Sequence, residues 1–217
     1  MMRNKSYIPA LKFHWLTRFY DPLVDRSGSV KKLRKALLEQ AKIGDNDLIL
    51  DFGCGTASLT IMAKRRYPKA IFHGLDIDPN VMRIAQKKAK DSGHLVLLKE
   101  YEGGSLPYKN EMFDQVLSSL VFHHLNRNQK SKALKEIYRV LKPGGGLHIA
   151  DFGRPKNIFM RGMFLPIQLF DGFDSTDDNI KGLLPKLIKG ADFKEVLECR
   201  QMNSIFGTIS LYRAIKP

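Results

Sequence analysis

Apolar positions along the chain fall into two alternating rhythms. Unbroken apolar runs, of which Leu48-Ile49-Leu50 is the clearest, read as buried strands. Further strands are predicted at residues 70–76, 95–101, from Met112 onward, and at 147–151. Between them, apolar residues recur three and four apart. That spacing predicts helices over residues 30–41, with Leu33, Leu37 and Leu38 on one face, and over 57–67, 80–90 and 129–141. Ser29 can cap the first of these, and Asp78 can cap the third with Pro79 at its first position. Ile43-Gly44-Asp45-Asn46, Tyr67-Pro68 and Lys142-Pro143-Gly144-Gly145-Gly146 punctuate the pattern. Strands alternating with helices predict a parallel α/β sheet. Two last strands, 194–202 and 206–215, break that rule. A parallel pair needs a crossover of about a dozen residues, so the short link between them requires an antiparallel hairpin.

The first strand ends in Asp51-Phe52-Gly53-Cys54-Gly55-Thr56-Ala57, a carboxylate and a glycine turn running into a helix. Gly53 and Gly55 allow a sharp bend and a close approach by a ligand. Free N–H groups at the helix start face that ligand. The dinucleotide pattern G-x-G-x-x-G/A fits poorly, because its last position falls on Ser58. The spacing G-x-G-x-G nearly fits, ending at Ala57. With Asp51 before it, the turn resembles the first motif of class I S-adenosylmethionine (SAM) methyltransferases. That resemblance implies that Asp51, Gly53 and Gly55 lie along the methionine part of SAM.

Later segments carry the resemblance further. Asp76 closes the second strand at roughly the 20-residue spacing expected of a ribose-binding acid, and a carboxylate can accept bonds from both ribose hydroxyls. Gly74-Leu75-Asp76-Ile77-Asp78-Pro79 is similar to the family's second motif, with Ile77 as a wall for adenine. Glu102-Gly103-Gly104-Ser105-Leu106-Pro107 resembles the third motif, although Asp is usual where Glu102 stands. Phe113-Asp114, followed by Ser118-Ser119 and His123-His124, looks like the ubiquinone/menaquinone-biosynthesis-type group. Ser119 matches a position at the methionine end of SAM, and Glu136 to Gly145 is among the most family-like stretches. Leu16 to Leu23 resembles that group's N-terminal segment, which implies that Tyr20 lies near the methyl donor.

The resemblance implies a Rossmann-like, doubly wound sheet of seven strands, six parallel and the last reversed, with helices on both faces. The whole chain, 1–217, is then one domain. Its parts are an N-terminal helical lid (1–42), a SAM-binding core (43–151), a variable substrate-side helical segment (152–190) and a closing β-hairpin (191–217). In the variable segment, Phe159 to Phe173 form an oily cluster with basic neighbours. It reads as a helix packed on the sheet, or as a lid that lines a lipophilic pocket or rests on a membrane surface. A second helix is expected from Thr176 to Lys189.

Composition changes this picture in three places. A formal net charge of +14 over 217 residues invites nucleic acid, an anionic membrane or an acidic substrate as partner. The basic residues are spread along the chain, however, and no RNA-reading motif is visible, so methylation of RNA or protein ranks second to a small or lipophilic acceptor methylated on oxygen or carbon. A non-catalytic SAM-binding protein of the same fold is a third reading. Two cysteines, Cys54 and Cys199, make neither a disulfide framework nor a zinc cluster. No uninterrupted apolar segment follows Arg3 and Lys5, and none elsewhere is long enough to span a bilayer, so a cytoplasmic setting is expected. An acceptor that arrives protonated needs a base. His123 is preferred among His14, Tyr20, His123, His124 and Asp151. On an extended segment adjacent histidines would point opposite ways, and no ligand-spaced partner accompanies them, so no metal is expected.

Overall fold

The computed structural model describes residues 28–217. Within them, strands β1 (Leu48–Phe52), β2 (Ile71–Asp76), β3 (Leu97–Glu100), β4 (Phe113–Ser119), β5 (Leu141–Phe152), β6 (Lys194–Ser204) and β7 (Gly207–Ile215) form one sheet. Their order is β3-β2-β1-β4-β5-β7-β6. The first five pair in parallel, while β7 is antiparallel to both β5 and β6. Strand β6 therefore runs with the first five, and the last strand alone is reversed, as the short hairpin link requires.

Successive residues of the central strands enter different cores. Leu50, Val116, Ile149 and Tyr212 turn to one face. They meet Leu134, Ile137 and Val140 of α4 (Arg127–Val140) and Leu184 and Ile188 of α8 (Leu184–Lys189). Their neighbours Ile49, Leu117, Ala150 and Leu211 turn to the other face. There they meet Leu33, Leu37 and Leu38 of α1 (Gly28–Ala41) and Leu59 and Ala63 of α2 (Ser58–Arg66). A sheet covered on both faces has no wet positions to alternate with, which is why its strands read as apolar runs. Each fully buried Leu or Ile contributes about 1.5–3 kcal/mol.

Local signals set the helix ends. The Asp78 side chain accepts the N–H of Asn80 at 2.8 Å, and Pro79 opens α3 (Pro79–Ser92). Asn126 and Gln129 form a reciprocal capping box at the start of α4. Ser29, expected as a cap, lies inside α1 (Gly28–Ala41). Strand β5 begins at Leu141, straight from the end of α4, and its register with β4 shifts where Pro143-Gly144-Gly145 intervene.

The variable segment is more broken than its pattern suggests. It contains α5 (Ile158–Met163), α6 (Leu165–Asp171), α7 (Phe173–Ile180) and α8. The expected helix from Thr176 to Lys189 is divided at Gly182, whose φ of +67° suits glycine and ends α7. Between Ile158 and Phe173, Phe164 alone of the large apolar residues is buried, while Phe159, Leu169, Phe170 and Phe173 are exposed. The cluster forms two short helices in place of one, held to the sheet at Phe164, whose ring centroid lies 4.7 Å from that of Phe152. No helix among the described residues is long and apolar enough to cross a membrane.

Candidate functional site

The carboxyl ends of β1, β2, β3, β4 and β5 share one edge of the sheet, and the sequence-predicted residues gather there. Beyond β1 the chain turns back on itself through Gly53 (φ +71°), Gly55 (φ +54°) and Ala57 (φ +61°). The N–H groups of Gly53 and Cys54 both donate to Leu75 O, at 2.8 and 3.0 Å, which clamps the turn to β2. A Cβ at Gly53 would lie 2.5 Å from Val121 Cγ2, so only glycine fits between the turn and the segment after β4. A Cβ at Gly55 would meet nothing within 4 Å. It would project into open space beside the turn, the place a ligand needs. Ala57 adopts a left-handed conformation without being glycine, at a cost of roughly 1–2 kcal/mol.

Two carboxylates flank this turn. Asp51 is 1% exposed and accepts the Thr60 hydroxyl of α2 at 2.6 Å. Burial pushes its carboxyl up to about 6, against the Thr60 hydrogen bond and the Arg34 charge, with Asp76 adding to the rise. Asp76 Oδ2 accepts the Gly55 N–H at 2.8 Å, and Oδ1 accepts the Asp78 N–H at 3.0 Å. Burial raises this carboxyl too, opposed by those backbone bonds. Each oxygen keeps lone-pair capacity for a ligand. Burial also holds the Cys54 thiol well above its usual range, so it is no nucleophile.

Residues 101–104 run beside the tip of β2. The Tyr101 N–H donates to Asp76 O at 3.2 Å, and a Cβ at Gly103 would touch Ile77 Cδ1 at 3.4 Å. Ile77 and Gly103 are therefore neighbours. Glu102, between Tyr101 and Gly103, is exposed. Asp51, Asp76 and the loop bearing Glu102 lie side by side on adjacent strand ends.

Strand β4 ends at Ser119, paired with Ala150, and Ser118 Oγ donates to Phe52 O at 3.1 Å. Asp151, fully buried near the end of β5, anchors the chain that leaves β4. Its Oδ2 accepts the N–H groups of Val121 and Phe122 at 3.0 and 2.6 Å. Its Oδ1 lies 2.7 Å from His123 Nδ1 and also accepts from the Phe152 N–H. Asn179 of α7 bonds Phe152 O at 2.8 Å, which ties the variable segment to this point. Burial disfavours charge on both partners of the His123–Asp151 pair, yet their mutual attraction prevails. The imidazole is held above its ordinary value and the carboxyl below it.

The histidines do not lie on an extended segment. They form a 3₁₀ turn, Phe122–His124, with ring centroids 3.9 Å apart. Both approach Asp171 at the end of α6. His124 Nδ1 is 3.1 Å from Oδ1, and His123 Nε2 is 3.7 Å from Oδ2, too far for a hydrogen bond. Burial and the charge of His123 lower the affinity of His124 for a proton. No metal was expected because the histidine pair had no third partner in the sequence. Asp171 supplies one, brought in by tertiary contact from a segment whose pattern gave no sign of it. Thr60 and Asn179 were equally hidden, although Thr60 stands in the first turn after the glycines. Tyr20 and His14 lie outside the described residues.

A family pattern described as a methyltransferase domain matches residues 49–145. The demethylmenaquinone methyltransferase of Lactobacillus johnsonii is 33% identical over 182 residues, which cover 79% of this chain and 74% of that protein. The ubiquinone/menaquinone biosynthesis C-methyltransferase UbiE of Bordetella parapertussis is 33% identical over 154 residues, or 70% of this chain and 59% of that protein. A solved SAM-dependent methyltransferase from Aquifex aeolicus aligns with a TM-score of 0.68 at 17% identity, covering 92% of this chain and 98% of that one. The last likeness concerns the fold alone.

Proposed function

Because this chain belongs to the class I SAM-dependent methyltransferases, in the ubiquinone/menaquinone-biosynthesis-type group, we propose that it methylates a ring carbon of a lipophilic, quinol-like acceptor. The observation that carries this reading is the shared edge. Asp51, Asp76, Ser119 and the His123–Asp151 pair all stand at carboxyl ends of neighbouring strands. The names of the two relatives, one of them a C-methyltransferase, support carbon as the acceptor atom. The exposed apolar side chains of α5 and α6 support a lipophilic acceptor.

SAM fits the residues present: the space at Gly55 is open, and two buried carboxylates flank it. When bound, it supplies a methyl group on a positively charged sulfur. Asp51 receives the ammonium of the methionine part and Asp76 the ribose hydroxyls. Ile77 and Gly103 flank the adenine, with Glu102 at its amino group. Gly53 keeps the turn close to Val121, and Ser119 borders the methionine end. His123 takes the proton that the acceptor gives up. With Nδ1 committed to Asp151, its uncommitted Nε2 accepts it. The acceptor carbon would gain the methyl and lose the proton that His123 takes, while SAM, giving up its methyl and keeping the bonding pair on sulfur, would become S-adenosylhomocysteine. Holding the reactants in line can supply up to about 7–11 kcal/mol of the barrier.

The test is transfer of labelled methyl from SAM to a demethylmenaquinol analogue, with the product's methylated atom identified by mass spectrometry and NMR. Label on the ring carbon supports the proposal. Label on oxygen, or on RNA or protein in place of the quinol, overturns it. Methylation of RNA or protein has only the basic charge in its favour.

A further inference from the structure

The cluster of His123, His124 and Asp171 has properties that the base role does not use. Each offers one ligand atom, and these atoms all lie within 4.8 Å of one another. Asp171 Oδ1 lies 3.1 Å from His124 Nδ1, and its Oδ2 lies 3.7 Å from His123 Nε2. A tetrahedral ion with bonds of about 2.0–2.2 Å spaces its ligands roughly 3.3–3.6 Å apart, so the three groups need to draw together by about 1 Å or less to meet one ion. Behind His123, Asp151 fixes Nδ1 at 2.7 Å, which leaves Nε2 to face the cluster. A carboxylate on the far nitrogen is the usual partner of a metal-bound imidazole, because it sets the tautomer and raises ligand basicity. The Asp171 carboxylate is 9% exposed, and its ion-pair partners among the described residues are the two imidazoles. His124, 24% exposed, gives the cluster a way in from solvent.

We propose that His123 Nε2, His124 and Asp171 bind a divalent first-row transition metal ion of the zinc type, with a fourth position open. Two imidazoles and one carboxylate suit such an ion and disfavour magnesium or calcium, which prefer all-oxygen sites. The binding claim stands on the cluster's geometry and is independent of the acceptor's identity. It has one consequence for the proton step: His123 Nε2 cannot serve as ligand and proton acceptor together, so metal occupancy and proton uptake at that nitrogen exclude each other.

The test uses the full chain, freed of any tag and stripped with a chelator. Zn²⁺ is titrated calorimetrically, and Co²⁺ is followed by its visible absorption. The proposal expects one equivalent bound, intense four- or five-coordinate Co²⁺ bands, and at least tenfold weaker binding in both Asp171→Asn and His124→Ala. Magnesium and calcium should give no comparable heat. S-adenosylhomocysteine binding, measured on the same samples, reports folding and keeps this result separate from the methyltransferase reading. Binding of Zn²⁺ that is absent, or unchanged in both variants while S-adenosylhomocysteine still binds, overturns the site.

Discussion

Asp76 holds the backbone N–H of Gly55 at 2.8 Å, so the tip of β2 fixes the turn that leaves β1. The carboxylate proposed for the ribose thereby also shapes the bend proposed for the methionine part. One side chain serves the pocket and its wall.

The two glycines of that bend predict different losses. Gly53→Ala puts a methyl 2.5 Å from Val121 and forces alanine to φ +71°, so both packing and backbone suffer. It should cost roughly 2–4 kcal/mol of stability. Gly55→Ala meets no neighbour and carries only the backbone strain, about 1–2 kcal/mol. Its methyl enters the open space, so cofactor affinity should fall more than stability. Denaturant unfolding and S-adenosylhomocysteine titration on both variants check this; equal stability losses would refute the packing difference.

Asp51 makes stability and binding respond oppositely to pH. Its folded-state carboxyl lies at about 6, above the ordinary value of 3.8. The favourable contribution is therefore complete below about pH 4 and is lost as pH rises through 6. At neutral pH the buried charge costs roughly 3 kcal/mol. Asp51→Asn should accordingly stabilise the free protein at pH 7.5 and flatten its stability between pH 4 and 6.5. Binding a ligand ammonium needs the ionised form, so SAM affinity should fall about tenfold per unit as pH drops below 6. Calorimetry from pH 5 to 8 reads this directly, and a flat profile would remove the ammonium assignment.

The parallel sheet and its reversed final strand were legible in hydrophobic runs and one short link, because burial on both faces and chain length leave few alternatives. The carboxylates beside the glycine turn were legible for the same reason: a parallel strand ends where its helix begins. The histidine pair was misjudged because a 3₁₀ turn replaced the assumed extended segment. Asp171 was invisible because its partners are 47 and 48 positions away and only the path of α6 joins them. Gly182 mattered more than the apolar spacing around it, which had suggested one unbroken helix.

Glu102 should matter less than its neighbours. It is exposed, and a single solvated contact to an adenine amino group is worth about 0.5–1.5 kcal/mol. Glu102→Ala should weaken S-adenosylhomocysteine by about 2- to 10-fold. A loss above a hundredfold would show that the loop does more than touch adenine.

Asp151→Asn should be the most disruptive change of the set. It removes charge from a fully buried group that holds two backbone N–H groups and His123. Losses of about 3–5 kcal/mol are expected from breaking such a pair. His123→Gln should leave unfolding nearer to wild type while methyl transfer drops by about 10²–10⁴-fold. Parallel unfolding and turnover measurements separate positioning from proton transfer; wild-type turnover in His123→Gln would end the base assignment.

The most direct measurement is a calorimetric titration of S-adenosylhomocysteine into the wild-type chain and into Asp76→Ala. One ligand per chain, bound at least tenfold more weakly by the variant, is the predicted result. No binding by the wild type, or equal affinity in the two proteins, would contradict the cofactor site at this edge of the sheet.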